Sequence, residues 1–231
     1  MKIGVRPLAA LALVLAAGFT RLGIWQLSRL HDRRALNAEL ASRAVAGAVA
    51  ISQLPVDTAK AHYRRVSVDG VYDYANEIKL TLRSRDGSPG IDIVTPVRLP
   101  GTDTVLMVVR GWVYAPDGMT ADLNKWREPA RAQGHGFVET FPPSRTGRNS
   151  SPTHSNAYRW LDRAELEKRF HYPLESYYVV LTSQPPDSGT NAPPRLEVPP
   201  MDEGPHQSYA IQWFSFAAIS IIGTTLFVRR K

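Results

Sequence analysis

The sequence predicts a membrane hairpin. Two transmembrane α-helices flank an extracytoplasmic β-rich (α+β) domain, built as an antiparallel meander or small barrel. Three observations predict this. An apolar run of about 20 residues lies at each end of the chain, the length a helix needs to cross a hydrocarbon core ~30 Å thick. Basic residues bracket the two runs. Between them lies soluble-protein sequence with short β-rich segments at regular spacing.

The first span covers residues 7–27 and carries one charge, Arg21. At 1.5 Å per residue, Arg21 lies ~7–9 Å from the outer end, within snorkelling reach of the interface. A cleaved signal peptide with Pro7 to Phe19 as its apolar region is the rival reading. The apolar character resumes after Arg21 through Leu27, however, and no A-x-A site follows, so a retained anchor is expected. Ser28 to Ala46 is rich in Arg, Ala, Leu and Glu, which predicts a helical extension of the span. Pro55 ends any continuation.

Residues 28–208 form the predicted periplasmic domain. Arg64 to Gly70, Glu77 to Arg83, Gly90 to Leu99 and Thr104 to Val113 read as strands. Turn signals separate them: Asp69-Gly70, Asp86 to Gly90, Pro100-Gly101 and Pro116-Asp117-Gly118. Further strands are predicted at Gly136 to Phe141, Ala157 to Leu161 and Ser176 to Thr182. An amphipathic helix fits Asp162 to Phe170, with Leu161, Ala164 and Phe170 on its buried side. Gln184 to Pro205, rich in Pro and Gly, reads as an extended arm. The second span covers residues 209–228, followed at once by Arg229, Arg230 and Lys231.

Charge sets the expected topology. Lys2 and Arg6 precede the first span, and the basic triplet follows the second. Positive charge near span ends favours the cytoplasmic side. Both termini are therefore expected in the cytoplasm, with the domain outside, in the periplasm of a bacterial inner membrane. Net charge is +7, from 28 basic and 21 acidic residues, but no run of four Lys/Arg occurs, which argues against nucleic acid as a partner. The chain has no cysteine. The domain thus folds without disulfides, and thiolate zinc, copper and iron–sulfur sites and covalent c-type haem are excluded.

Chemistry concentrates at the span ends. If helical geometry begins near Pro205, one stripe contains His206, Ala210, Trp213, Ala217, Ser220 and Thr224. Most of it is small, as close packing of membrane helices requires. A neutral His206 at the interface can ligate a metal or a haem iron. Its alternative is a solvated or hydrogen-bonded histidine. Tyr209, Trp213 and Trp25 read by default as aromatic-belt anchors. Arg21, Trp25 and Arg29 recur at i, i+4, i+8. Two guanidiniums and an aromatic plate suit a planar ligand bearing carboxylates, and snorkelling is the plain alternative. Motifs G-x-S-x-G and H-E-x-x-H are missing. His31, His62, His135, His154 and His171 are dispersed and read as ordinary surface or strand residues. Arg110-Gly111-Trp112 reads either as a binding feature or as a packed strand with a glycine bulge.

These residues also resemble a known family. Leu22-Gly23-x-Trp25-Gln26-x-x-Arg29 is similar to the N-terminal motif of the Surfeit locus protein 1 family, assembly factors for haem-copper cytochrome oxidases. The segments Tyr63 to Tyr72, Gly90 to Val97 and Val108 to Val113 resemble its domain signatures. His206-x-x-Tyr209-Ala210-x-Gln212-Trp213-Phe214 resembles its second-span motif. Departures are Asp32 and Arg33 in place of Trp and Lys, Pro205 in place of an Asn, and no valine–glycine strand pattern over Gly134 to Pro143.

The resemblance implies a role in delivering haem a, held transiently, to the oxidase catalytic subunit. His206 would be the metal ligand, with Trp213, Tyr209, Trp25, Arg21 and Arg29 as haem-binding neighbours. The haem would sit between the spans near the outer leaflet, its isoprenoid tail along the small-residue stripe. Implied partners are cytochrome oxidase subunit 1, haem A synthase and membrane lipid. No covalent catalysis is expected. The rivals are a haem-independent chaperone for nascent subunit 1 and a membrane-tethered enzyme with its site in the periplasmic domain.

Overall fold

The computed structural model describes residues 5–151, 153–154, 156–183 and 191–230. In chain order the elements are α1 (Val5–Val45), β1 (Val49–Ala50), α2 (Thr58–Ala61), β2 (Arg65–Tyr72), β3 (Ile78–Arg85), β4 (Ser88–Arg98), β5 (Val105–Tyr114), β6 (Arg131–Thr140), β7 (Ala157–Tyr158), α3 (Arg163–Phe170), β8 (Leu174–Leu181) and α4 (His206–Arg229). They form two compact units. One holds the chain up to Ala41 and from Pro200 onward, and the other Ser42–Pro199.

In the first unit, α1 and α4 are both long and apolar enough to cross a membrane. The side chains of Ser208, Ser215, Ser220 and Thr225 on α4 each donate to a backbone carbonyl three or four residues earlier. Their hydroxyls are thereby satisfied within the helix, so they are compatible with an apolar surrounding.

The second unit is a closed five-stranded barrel. β2, β6, β8, β5 and β4 follow one another around it, and β4 returns to β2 through Val71–Arg98 and Tyr72–Val97. The barrel expected from the sequence is thus present. It is not wholly antiparallel, because β8 runs parallel to β5. β3 extends the sheet beyond β4, β7 pairs with β3, and β1 adds a short parallel edge to β2.

Burial explains the strand sequences. On β2, Val66, Val68 and Tyr72 are buried in the cluster that also takes Leu106 and Val108 of β5, Val138 of β6 and Val179 and Leu181 of β8. Val105, Met107 and Val109 of β5 face a second cluster, which contains Leu161, Leu166 and Phe170. β5 is therefore buried on both faces, which is why Val105 to Val109 is a continuous apolar run rather than an alternation. The buried side of α3 differs from the expectation: Leu166 is fully buried, whereas Ala164 is exposed. Helical spacing from Leu166 to Phe170 is i, i+4, and the larger leucine takes the core position.

A bulge organises the rest. Val94 pairs with Val109 and Ile93 with Gly111, so Arg110 is an extra residue on β5. Its side chain is 0% exposed. Nε donates to Glu128 at 2.9 Å, Nη1 to Glu77 at 2.6 Å, and Nη2 to the carbonyl of Trp126. The guanidinium lies 5.1 Å from the ring centroids of both Tyr72 and Tyr74. Arg195, from the arm after β8, donates to Glu128 and to the Arg110 carbonyl. A Cβ at Gly111 would collide with the Pro194 carbonyl, which accepts from the Trp112 N–H at 3.0 Å. Glycine here lets the arm reach the strand. Residues 184–190 of the expected arm lie outside the described residues.

Arg110→Met roughly keeps the side-chain volume but leaves Glu77 without its buried cation, while Glu128 keeps Arg195. Breaking a buried pair in this way costs about 3–5 kcal/mol. The expected result is a lowered denaturation midpoint of the domain, followed by near-ultraviolet circular dichroism. An unchanged midpoint would mean that the cluster is not stability-determining.

Candidate functional site

The helix pair is built on a seam. On α1 it runs through Ala16, Phe19, Gly23, Gln26 and Leu30, spaced alternately by three and four residues. On α4 it runs through His206, Ala210, Trp213 and Ala217, the stripe read from the sequence. Ala16, Leu30, Ala210 and Ala217 are buried. A Cβ on Gly23 would lie 2.7 Å from the Phe214 ring. Small residues thus allow close helix approach, the packing used where no water drives association. Phe19 stacks on Trp213 with ring centroids 5.8 Å apart, and Phe216 joins both rings.

One end of the seam is polar. His206 Nδ1 lies 2.8 Å from Oε1 of Gln26. The turn before α4 is clamped to α1: Arg33 Nε and Asn37 Nδ2 each donate to the Asp202 carbonyl at 3.1 Å. Arg34 forks onto both Glu203 oxygens at 2.9 Å. This hydrogen-bonded pairing holds the Glu203 carboxyl below its usual range. Gly204 adopts φ +70°, a left-handed conformation that suits glycine. A Cβ there would sit 3.5 Å from Nε2 and Cδ2 of His206. Glycine leaves no side chain against that edge of the half-buried ring, and among the described residues Nε2 has no hydrogen-bond partner.

The predicted residues divide into three groups. His206 and Trp213 lie on the seam. Trp25 and Tyr209 are 54% and 45% exposed. Arg29 is exposed and loosely paired with Asp32 at 3.7 Å. At about 100° per residue, Trp25 and Arg29 stand to one side of Gln26, and Tyr209 stands to one side of His206. In an antiparallel pair of right-handed helices these sides coincide, so Arg29 and Tyr209 fall on the flank that carries the Gln26–His206 contact, while Trp25 lies further round α1, toward the face away from the seam. Arg21 is two residues from both Phe19 and Gly23 and therefore faces away from the seam. At Ala210 and Ala217 the small-residue stripe is covered by α1. Further along, Ala9, Ala12 and Leu13 of α1 and Ile221, Thr224 and Val228 of α4 line an apolar cavity of about 360 Å³ between the helices. Beside His206 the exposed surface of the pair is its flank.

The domain holds groups that sequence reasoning missed. Arg110-Gly111-Trp112 lies on a packed strand with a bulge, one of the two readings from sequence; what sequence did not show is the set of partners of Arg110, since Glu77, Glu128 and Arg195 come from three separate segments. Burial pushes the Glu77 carboxyl up, while Thr95 and Arg110 pull it back. Burial also raises Asp92 on β4, to about 6, against the opposing effect of Arg83 at 3.2 Å. His62 pairs with Glu139 at 3.0 Å. No group of three or more His, Asp or Glu among the described residues is placed to hold a metal ion.

Residues 13–218, most of the chain, match the family model described as the SURF1 family. Among curated proteins, the chain is 24% identical over 212 residues to a SURF1-like protein of Rickettsia prowazekii, covering 88% of this chain and 82% of that one. A SURF1-like protein of Monosiga brevicollis is 27% identical, with 91% and 83% covered. One of Drosophila melanogaster is 26% identical, with 94% and 76% covered.

The Asp92 environment yields a pH prediction. Its carboxyl is raised from 3.8 to about 6, so in that window the folded chain holds the proton more tightly than the unfolded chain. Stability therefore falls as pH rises through the window and is flat above it. Asp92→Asn should remove this slope and, near neutral pH, stabilise the domain by on the order of 1–3 kcal/mol. Thermal melts of both chains between pH 4 and 7 test it. A wild-type curve that rises with pH there would contradict the burial argument.

Proposed function

This chain belongs to the SURF1 family, a cytochrome oxidase assembly family, and we propose that it acts there by holding haem a as cargo and handing it to the catalytic subunit of haem-copper cytochrome c oxidase. The observation that carries the proposal is the Nε2 of His206, which has no hydrogen-bond partner among the described residues and no side chain opposite it at Gly204, on the flank bearing Arg29 and Tyr209. An imidazole nitrogen with a free lone pair is a ligand for haem iron. Arg29 supplies a cation for a propionate, and its bond to Asp32 is long enough to be exchanged. Tyr209 supplies exposed aromatic area on the same flank, and the exposed Trp25 stands further round α1. Trp213 supports the site from the seam, through Phe19. Arg21, facing away, serves the membrane interface rather than the cargo.

The proposed chemistry is binding and release without covalent catalysis. One protein ligand on an exposed flank suits a carrier, since the cargo leaves without separating the helices. Oxidase subunit 1 is the proposed recipient and haem A synthase the proposed donor. The proposed setting is a bacterial inner membrane, with both termini in the cytoplasm and the barrel in the periplasm.

His206→Ala, expressed with a haem a biosynthesis pathway, should lose or shift the haem absorption band while inserting normally. An unchanged spectrum would move the ligand role elsewhere. A colourless wild type that still captures subunit 1 would favour a haem-independent chaperone. For topology, a reporter fused after Lys231 should give a cytoplasmic signal, and one within Gln184 to Pro194 a periplasmic signal. The reverse pattern would overturn the hairpin orientation.

A further inference from the structure

We infer that Gln26 is a positioning residue that fixes the tautomer of His206, so that the lone pair lies on Nε2. The inference rests on the cargo reading above for its purpose, but not for its geometry. The Gln26 side-chain oxygen, 2.8 Å from Nδ1, can only accept a hydrogen bond. Nδ1 must therefore carry the proton. A neutral imidazole has one N–H, so the proton on Nδ1 leaves Nε2 bare. A histidine side chain free in water favours the opposite form, with the proton on Nε2 and the lone pair on Nδ1. Gln26 reverses that preference.

Three further features make the arrangement specific. Gln26 occupies a seam position between Gly23 and Leu30, so the helix pair sets its backbone. Asp202 to Gly204 are tied to α1 by Arg33, Arg34 and Asn37, which fixes where α4 begins and hence where the ring stands. Gly204 puts no side chain against the Nε2 edge. The chemistry of the orienting group also matters. A carboxylate at this place would draw the Nδ1 proton and make the imidazole a stronger donor, whereas an amide orients the ring without adding charge. A neutral orienting group therefore gives a weaker, more easily released bond to the metal.

The test uses the full chain in lipid nanodiscs, with ¹⁵N-labelled histidine and with haem a as the probe. Without haem, the imidazole correlations of His206, assigned by their loss in His206→Ala, should show the Nδ1–H tautomer. Gln26→Met preserves length and removes the acceptor. It should bring back the Nε2–H form and weaken haem a binding about 10- to 100-fold, the usual effect of losing such an orienting partner. Gln26→Glu restores an acceptor. It should recover the Nδ1–H form, bind more tightly than wild type and lower the reduction potential of the bound haem. That recovery separates a positioning role from a packing role, since a seam defect would not be rescued by adding charge. An Nε2–H tautomer in the wild type, or wild-type tautomer and affinity in Gln26→Met, overturns the inference. A wild type that shows the Nδ1–H form, loses it in Gln26→Met and binds no haem a supports the tautomer assignment and removes the cargo reading instead.

Discussion

The barrel depends on neutralising one buried guanidinium. Arg110 is fully buried, and an unpaired charge there would cost several kcal/mol. Two carboxylates and a carbonyl meet it, and the second carboxylate, Glu128, is shared with Arg195. Glu77 and Glu128 balance Arg110 and Arg195, so the cluster is close to neutral as a whole. Its members come from the start of β3, the β5 bulge, the segment before β6 and the arm after β8. Each segment must be in place for the others to be satisfied. The bulge at Arg110 and the bare backbone of Gly111 are what bring the arm's Pro194 and Arg195 against β5. A network of this kind favours one arrangement of the chain over others, because partial satisfaction is worse than none.

Most of the strands were legible because each carries a periodic signal. β2 alternates, β5 opens with an apolar run from Val105 to Val109, and Gly or Pro punctuates the connections. What was not legible is what depends on distant residues. The ends of β6 extend back to Arg131, where polar residues alternate with Ala132 and glycines, and pairing with β2 rather than side-chain character makes them a strand. The parallel β5–β8 pairing and the two-residue closure of β4 on β2 have no local signature. On α3, composition suggested Ala164, but the barrel's outer surface selects Leu166.

The helix pair shows the same division. The stripe on α4 was visible, because small residues at helical spacing describe a packing surface. Its occupant was not, since a groove lined by alanine accepts a ligand or another helix equally well on paper. α1 answers with Ala16 and Gly23 at matching positions, and the helices close. Trp213 then becomes part of a ring stack with Phe19 rather than a free plate. Gln26 went unnoticed as a chemical group because it stood inside a motif whose aromatic and basic residues drew attention. Only the 2.8 Å contact to His206 gives it a role.

Closing the seam changes what the ends of the helices can do. Where the seam is closed, from Gly23 to Ala217, the polar contact between an amide and an imidazole lies at its end. Nδ1, against Gln26, holds the ring still. Nε2, beside Gly204, meets whatever approaches along the flank. A site within the closed seam would need the helices to part for every loading and release, at the expense of the Phe19–Trp213 stack and the small-residue packing. A site on the flank needs neither. The packing of the pair and the position of the imidazole are therefore consequences of the same seam: tight packing at Gly23, Ala210 and Ala217 is what leaves His206 at the edge of the pair, held by Gln26.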